Sequence, residues 1–183
     1  MVAYTVPGMK TGDAERVSEL LQDRLNSLND LALTLKHVHW NVVGPNFIAV
    51  HTMLDPQVDA VREMVDDTAE RIATLGGSPV GTPGALVKQR DWDDYSIGRA
   101  DAIAHLGALD VVYTGVIEAH RAAIEETEQL DLVSQDMLIG QAEQLEQFQW
   151  FVRAHLESAD GQLSTRGVRT EGGAAQRAKK NKK

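Results

Sequence analysis

Five residues of the sequence carry side chains that bind metal ions in proteins. Two are imidazoles and three are carboxylates: His39, His51, Asp55, Asp66 and Glu70. Iron(II) and similar ions accept imidazole nitrogen and carboxylate oxygen as ligands. The last two acids are four positions apart, so their carboxylates can converge on one ion if the segment is helical. Trp40 follows the first histidine directly. The set is therefore suited to an iron site.

The spacing of His51 and Asp66 argues against a site built within one copy of the chain. On a continuous helix over about residues 47–75, these two residues are fifteen positions apart, or roughly 22 Å. Ligand bonds to one ion are about 2 Å long, so one ion cannot bind both. At about 100° per residue, however, both share one helix face with Asp55 and Glu70. Two such helices running antiparallel would bring the histidine end of one beside the carboxylate end of the other, which predicts sites shared between subunits.

Each of these residues also has an ordinary structural explanation. His39 continues an apolar stripe at helical spacing, where a single histidine is more often a core residue with a hydrogen-bond partner. Asp66 and Glu70 have charged neighbours of both signs and could belong to a solvated helix face with ion pairs. Trp40 could be a packing residue. Only the combination favours a metal site.

Helical periodicity covers most of the chain. Long helices are predicted at about residues 12–40, 47–75, 97–129 and 132–158, with a short helical turn near residues 85–88. Glycine and proline end the first two helices, at Gly44-Pro45 and at Gly76-Gly77-Ser78-Pro79. The connection over residues 76–96 is long enough to cross from one end of a bundle to the other. We therefore predict an all-α, ferritin-like four-helix bundle with a long crossover between helices 2 and 3 and a disordered basic C-terminal tail.

Charge divides the chain into parts. The predicted division is a flexible N-terminal segment over residues 1–11, the bundle over 12–158 and the basic tail over 159–183. The tail has a net charge of +5 and the remainder a net charge of −14. An acidic body attracts cations, whereas a basic tail attracts polyanions.

Several classes of function are disfavoured by composition. The chain has no cysteine, which excludes a disulfide framework and a cysteine-based zinc site and fits a reducing cytoplasm. The N-terminus lacks the basic start and apolar run of a secretory signal. The most apolar stretch, residues 102–119, is interrupted by charged residues, and we expect it to be too short and too charged to span a membrane. No Glu-x-x-His motif occurs, which disfavours a di-iron site inside one bundle.

The sequence resembles the Dps family, the mini-ferritins that oxidise iron and often protect DNA. The resemblance covers roughly residues 12–158. It is carried by the sequence 36–41 (KHVHWN), by His51 and Asp55, by the sequence 66–72 (DDTAERI) followed by 75–77 (LGG), and by the sequence 147–151 (QFQWF). It implies that His39 and His51 come from one subunit and that Asp66 and Glu70 come from a dimer partner, with Asp55 assisting. This agrees with the spacing argument.

The resemblance also implies the function. We expect a ferroxidase in which His39, His51, Asp55, Asp66 and Glu70 are the catalytic metal ligands. Its substrates are iron, bound as Fe2+ and stored as a Fe3+ mineral, and an oxidant, preferably hydrogen peroxide rather than dioxygen. The assembly is expected to be a homo-oligomer, in which dimers form a hollow dodecamer, located in the cytoplasm and associated with the nucleoid.

The basic tail is the predicted contact with DNA, because the acidic body would repel a polyanion. Binding should be independent of DNA sequence and should fall steeply with salt, since phosphate contacts release counterions. The predicted DNA-binding residues are Arg166, Arg169, Arg177, Lys179, Lys180, Lys182 and Lys183. The alternative is a solubilising terminus.

Three alternatives stay open at this point. The chain could be an architectural DNA-compacting protein whose metal site is vestigial. It could also be an ordinary ferritin-like store that prefers dioxygen and does not bind DNA. The acid-rich residues 131–136 could line an iron entry pore, or could simply suit the dipole of the helix that they begin.

Overall fold

The computed structural model describes residues 2–180. Within this range the chain forms six helices and two strands of two residues each. In chain order these are α1 (Thr11–Asn41), β1 (Val42–Val43), α2 (Phe47–Thr74), α3 (Pro83–Gln89), β2 (Ala100–Asp101), α4 (Ala102–Thr127), α5 (Leu132–Ala154) and α6 (Glu171–Lys180). The long helices α1, α2, α4 and α5 confirm the predicted all-α, ferritin-like fold with a long connection between the second and the third of them.

Glycines with positive φ lie in the turn before α2 and in the turn after it. Gly44 has a φ of 96° and its carbonyl accepts the N–H of Phe47, which begins the helix. Gly76 has a φ of 87°, and the N–H of Gly77 bonds back to the carbonyl of Ile72. A Cβ at Gly76 would lie 2.0 Å from the carbonyl oxygen of Tyr4. Glycine is therefore required at this helix end both by the backbone angle and by the close approach of the N-terminal residues.

Helix α4 begins at Ala102, five residues later than predicted. Residues 100 and 101 instead pair in parallel with Val42 and Val43. The Asp101 carboxylate then accepts the N–H of Ala104 at 2.9 Å, which satisfies one of the free donors at the helix start. Two-residue strands are too short to produce an alternating pattern, so they could not be predicted from periodicity. Helix α5 ends at Ala154 rather than near Ser158.

The chain divides into two compact units. The first consists of residues 2–32, 60–91 and 118–143. Its apolar core is made of aliphatic side chains from the long helices: Ala14, Val17, Leu21, Leu25, Ile72, Leu75, Ala123 and Leu138. A buried polar network also crosses this unit, in which Gln141 lies 3.3 Å from the His120 ring nitrogen and donates to Thr68 at 3.1 Å.

The second unit consists of residues 33–59, 92–117 and 144–180. Asp110, which is buried, is its main polar centre. Its carboxylate accepts hydrogen bonds from Gln149, Arg153 and Thr165 at 2.9, 2.6 and 2.6 Å. Because Thr165 follows the last long helix, this contact fixes the start of the C-terminal segment to the second unit.

The prediction of a disordered tail is wrong for its described residues. Residues 171–180 form α6, which buries three alanines, Ala174, Ala175 and Ala178. A Cβ at Gly107 of α4 would lie 2.7 Å from the Ala174 carbonyl oxygen. Helices α4 and α6 can approach this closely because both have small residues at the contact. The expectation of disorder rested on the absence of large apolar side chains, and small side chains provide the packing instead.

Ion pairs and hydrogen bonds hold both ends of α6. Glu171 accepts the backbone N–H and the hydroxyl of Ser96 at 2.7 and 2.8 Å. Lys179 lies 2.8 Å from Asp101. Residues 159–170 before α6 lack a helix, and residues 2–10 lack both helix and strand.

Helix α4 is the one described helix that is long and apolar enough to be compared with a membrane span. The expectation that this region is too short was wrong, since the helix has 26 residues. More than half of its most apolar part is buried within the protein. A core helix meets the same criteria, so this is weak evidence for a membrane.

Candidate metal centre

The turn between α1 and α2 brings three of the predicted ligands together. His39 lies in the last turn of α1, and His51 and Asp55 lie in the second and third turns of α2. One ligand atom from each residue lies within 4.8 Å of the others. This is the one group of three or more such side chains found among residues 2–180, and its members are those named from the sequence.

The two imidazoles are stacked and held in fixed orientations. Their ring centroids are 3.6 Å apart, and the planes differ by 28°. Nδ1 of His51 lies 3.0 Å from the carbonyl oxygen of His39. A carbonyl can only accept a hydrogen bond, so Nδ1 of His51 carries the proton and Nε2 is left with a lone pair. Hydrogen bonds of this kind orient histidines that bind metals.

His39 is buried, at 8% exposure, and neither of its ring nitrogens has a hydrogen-bond partner within the described chain. Nε2 lies 3.0 Å from Oδ1 of Asp55, but the pair lacks hydrogen-bond geometry. Buried polar atoms almost always have partners. The Asp55 carboxylate is thus the one close polar neighbour that the described chain offers to the His39 ring nitrogens, and a cation between the imidazole and the carboxylate would satisfy both groups.

Lys36 also contacts this group. Its Nζ lies 2.7 Å from Oδ1 of Asp55. The hydrogen bond from Lys36 holds the pKa of the Asp55 carboxyl below its usual value, and His39 acts in the same direction, against a smaller opposing effect of desolvation. Asp55 is therefore ionised at neutral pH, as a metal ligand must be. Lys36 belongs to the motif of residues 36–41, but its position in the sequence does not indicate this contact with Asp55.

The other two predicted ligands lie farther along α2. Asp66 and Glu70 are fifteen and nineteen residues after His51, and both side chains are exposed. Within one chain the predicted ligands thus form two sets, one of His39, His51 and Asp55 and the other of the exposed Asp66 and Glu70. The spacing along α2 requires this separation. Trp40 is 72% exposed, so it does not serve as a packing residue within the described chain.

The acidic start of α5 has a structural explanation at Asp131. Its carboxylate accepts the backbone N–H of Ser134 at 3.1 Å and pairs with Arg71 at 2.6 Å. Burial raises the pKa of Asp131, but the hydrogen bonds from Ser134 and Arg71 outweigh it, so the pKa lies below its usual value. Asp131 thus caps the helix, which favours the interpretation from the helix dipole for this residue.

The described basic residues of the tail are all exposed: Arg166, Arg169, Arg177, Lys179 and Lys180. Lys179 is paired with Asp101. The remaining two predicted DNA-binding residues, Lys182 and Lys183, lie outside the described residues. On α6 the side chains of Arg177, Lys179 and Lys180 are exposed, whereas the three alanines are buried.

Comparison with known proteins gives consistent matches over nearly the whole chain. Residues 18–161 match the ferritin-like domain family. The DNA protection during starvation protein of Mycolicibacterium smegmatis is 62% identical over 180 residues, which is 98% of each chain. The fine tangled pili major subunit of Haemophilus ducreyi is 51% identical over 160 residues, covering 87% of this chain and 85% of that protein. The solved structure of DpsA14 from Streptomyces coelicolor is 70% identical, has a TM-score of 0.89 and covers 90% of this chain and 98% of that chain.

Proposed function

Because the chain belongs to the Dps family of ferritin-like proteins, we propose that it is a ferroxidase that oxidises Fe2+ at metal sites shared between two subunits. Membership of this family supports the broader role, which is iron storage together with the protection of DNA. The observation that carries the proposal is the group of His39, His51 and Asp55, in which a buried imidazole has no hydrogen-bond partner within the described chain. These atoms supply nitrogen and oxygen ligands of the kind that iron accepts.

The residues of one chain have separate tasks at this site. His51 offers Nε2, because its Nδ1 is held by the carbonyl of His39. His39 offers a ring nitrogen that faces Oδ1 of Asp55. The Asp55 carboxylate supplies an oxygen ligand and a negative charge beside the two rings, which favours a divalent cation at this place.

Completion of the site requires a second subunit. Asp66 and Glu70 cannot reach the histidines of their own helix, since about 22 Å separates His51 from Asp66 along α2. We assign the missing carboxylates to Asp66 of the partner subunit and Glu70 of the partner subunit. Each dimer then contains two equivalent sites, as expected for a two-fold interface.

The chemistry is the transfer of one electron from each of two Fe2+ ions to one hydrogen peroxide molecule. The O–O bond breaks, two protons are taken up and two water molecules form, so that no hydroxyl radical is released. The protein supplies ligation, positioning and a route for the ions. The Fe3+ product is stored as a mineral inside a hollow dodecamer. We place this activity in the cytoplasm, where the basic tails hold the cage on the DNA of the nucleoid.

Iron oxidation by the assembled protein tests this proposal. We expect two Fe2+ ions to be consumed per peroxide and the reaction with peroxide to be faster than that with dioxygen. His51→Ala should abolish the rapid phase. His155→Ala is the matched control, because His155 follows α5 and its ring bonds to the carbonyl of Phe151 rather than to the metal-binding group. Wild-type rates in an assembled His51→Ala variant would contradict the assigned site, and faster oxidation by dioxygen would contradict the assigned oxidant.

A further inference from the structure

Lys36 carries a positive charge directly against the metal-binding group. It lies one helical turn before His39 on α1, and its side chain is only 21% exposed. Its Nζ is 2.7 Å from Oδ1 of Asp55, and that same oxygen faces Nε2 of His39 at 3.0 Å. The ammonium group therefore occupies the carboxylate oxygen that is closest to the buried imidazole.

An ammonium group cannot share this position with a metal ion without cost. It has three donors and no acceptor, so it cannot act as a ligand. A divalent cation bridging His39 and Oδ1 of Asp55 would lie within a few ångströms of a second positive charge, and like charges at that distance repel. Lys36 must therefore move away from Oδ1, or the two cations must share one carboxylate.

We propose that Lys36 is a positioning residue that holds Asp55 in the metal-free site and competes with the incoming divalent cation, which lowers the affinity of the site. This inference rests on the proposed function, because it assumes that His39, His51 and Asp55 bind the ion. A site weakened in this way binds Fe2+ reversibly before oxidation and releases the product more readily. The role is opposite to that of a lysine whose only function is to orient a ligand, because removal of such a lysine would weaken metal binding.

The effect of Lys36 should be measured with Co2+, which does not turn over under these conditions. Calorimetric titration of the assembled protein gives the affinity, and the visible absorption of bound Co2+ reports its ligands. Lys36→Met keeps the length of the side chain and removes the charge, and should tighten binding about fivefold, as expected for one partly exposed ion pair. Lys36→Gln provides a second neutral variant. Lys36→Arg keeps the charge and should bind like the wild type.

Two controls separate this effect from a general change in charge. Lys88→Met removes a lysine that is exposed on α3 and should leave the affinity unchanged. In an Asp55→Asn background, Lys36→Met should have a smaller effect, because the competition for the Asp55 carboxylate is lost and only the direct repulsion between Lys36 and the ion remains.

The outcomes distinguish this inference from the function on which it rests. Tighter binding in both neutral variants, by a smaller factor in the Asp55→Asn background, supports the competition. If the wild type binds Co2+ through these ligands but Lys36→Met binds equally or more weakly, the inference is wrong and the metal site stands. If neither protein binds Co2+ there, the proposed function is wrong and the inference falls with it.

Discussion

His39 differs from the other buried histidines in its hydrogen bonding. His105 lies 3.1 Å from the hydroxyl of Tyr95 through Nδ1, and His120 lies 3.3 Å from the side-chain oxygen of Gln141 through Nε2. Neither nitrogen of His39 has such a partner among residues 2–180. The polar atoms of such a side chain contribute little to the stability of the fold. This is consistent with a role of His39 in binding a metal ion.

This contrast predicts opposite effects on stability in the absence of metal. His39→Leu removes two unsatisfied buried atoms, so the free energy of unfolding should be unchanged or higher. His120→Leu removes the partner of the buried Gln141 side-chain oxygen and should lower the free energy of unfolding by about 1–3 kcal/mol. Urea denaturation of the metal-free proteins measures both. A large loss of stability in His39→Leu alone would support the role of a core residue.

Asp131 predicts a pH dependence at the start of α5. Its pKa in the folded protein is lowered, so its ionised form stabilises the fold. The contribution is fully present above the pKa of the unfolded chain, about 4, and is lost as the pH falls through the lower value of the folded protein. The difference in free energy of unfolding between wild type and Asp131→Asn should therefore be constant from pH 7 to 5 and shrink below pH 4. A difference that persists unchanged at pH 3 would contradict this.

Among the elements, α6 depends on a close contact that can be altered at one position. Gly107→Ala would place a Cβ 2.7 Å from the Ala174 carbonyl oxygen, so α6 should move away from α4. Hydrogen exchange of residues 171–180 should then become faster, while the four long helices keep their protection. Gly115→Ala is the matched control, since a Cβ there meets no atom within 4 Å. Equal protection of α6 in both variants would show that the contact does not hold the helix.

The packed position of α6 also changes how DNA binding should be tested. Truncation after Ser158 would remove Thr165, which bonds to the buried carboxylate of Asp110. Neutral substitutions on the exposed face, Arg177→Gln with Lys180→Gln, avoid this damage. We expect them to weaken DNA retardation strongly, because the loss is repeated in every subunit of the cage, and to reduce the dependence on salt.

The control for this experiment removes the same number of charges elsewhere. Lys10→Gln with Lys88→Gln neutralises two exposed lysines outside the tail and should leave DNA retardation intact. Equal weakening by both pairs would assign DNA binding to overall charge rather than to the tail.

Local signals predicted the helices well, and contacts distant in sequence accounted for the errors. The end of α2 could be predicted from Gly76 and Gly77, because the hydrogen bond that ends the helix joins Gly77 to Ile72, which is close in sequence. The late start of α4 depends on pairing between residues 42–43 and 100–101, which leaves no periodic pattern. Helix α6 was missed because its packing uses three alanines against Gly107.

At the scale of the whole molecule, one chain contains all five proposed ligands, but only three of them lie close together. The structure brings together His39, His51 and Asp55. Asp66 and Glu70 remain exposed on the same helix. If these residues bind one ion, as proposed, the length of the continuous helix α2 requires a second subunit, and this part of the proposal could be made from spacing alone.

Complementation between two inactive variants tests the shared site most directly. One chain carries His39→Ala and His51→Ala, and the other carries Asp66→Ala and Glu70→Ala. Each alone should be inactive in rapid Fe2+ oxidation. A hybrid dimer, however, combines the intact histidines of one chain with the intact acids of the other, and so contains one complete site and one doubly damaged site. We predict that purified hybrid dimers, brought into the assembled state, recover about half of the wild-type sites. Verified hybrids without activity, beside active wild-type protein treated in the same way, would contradict the account.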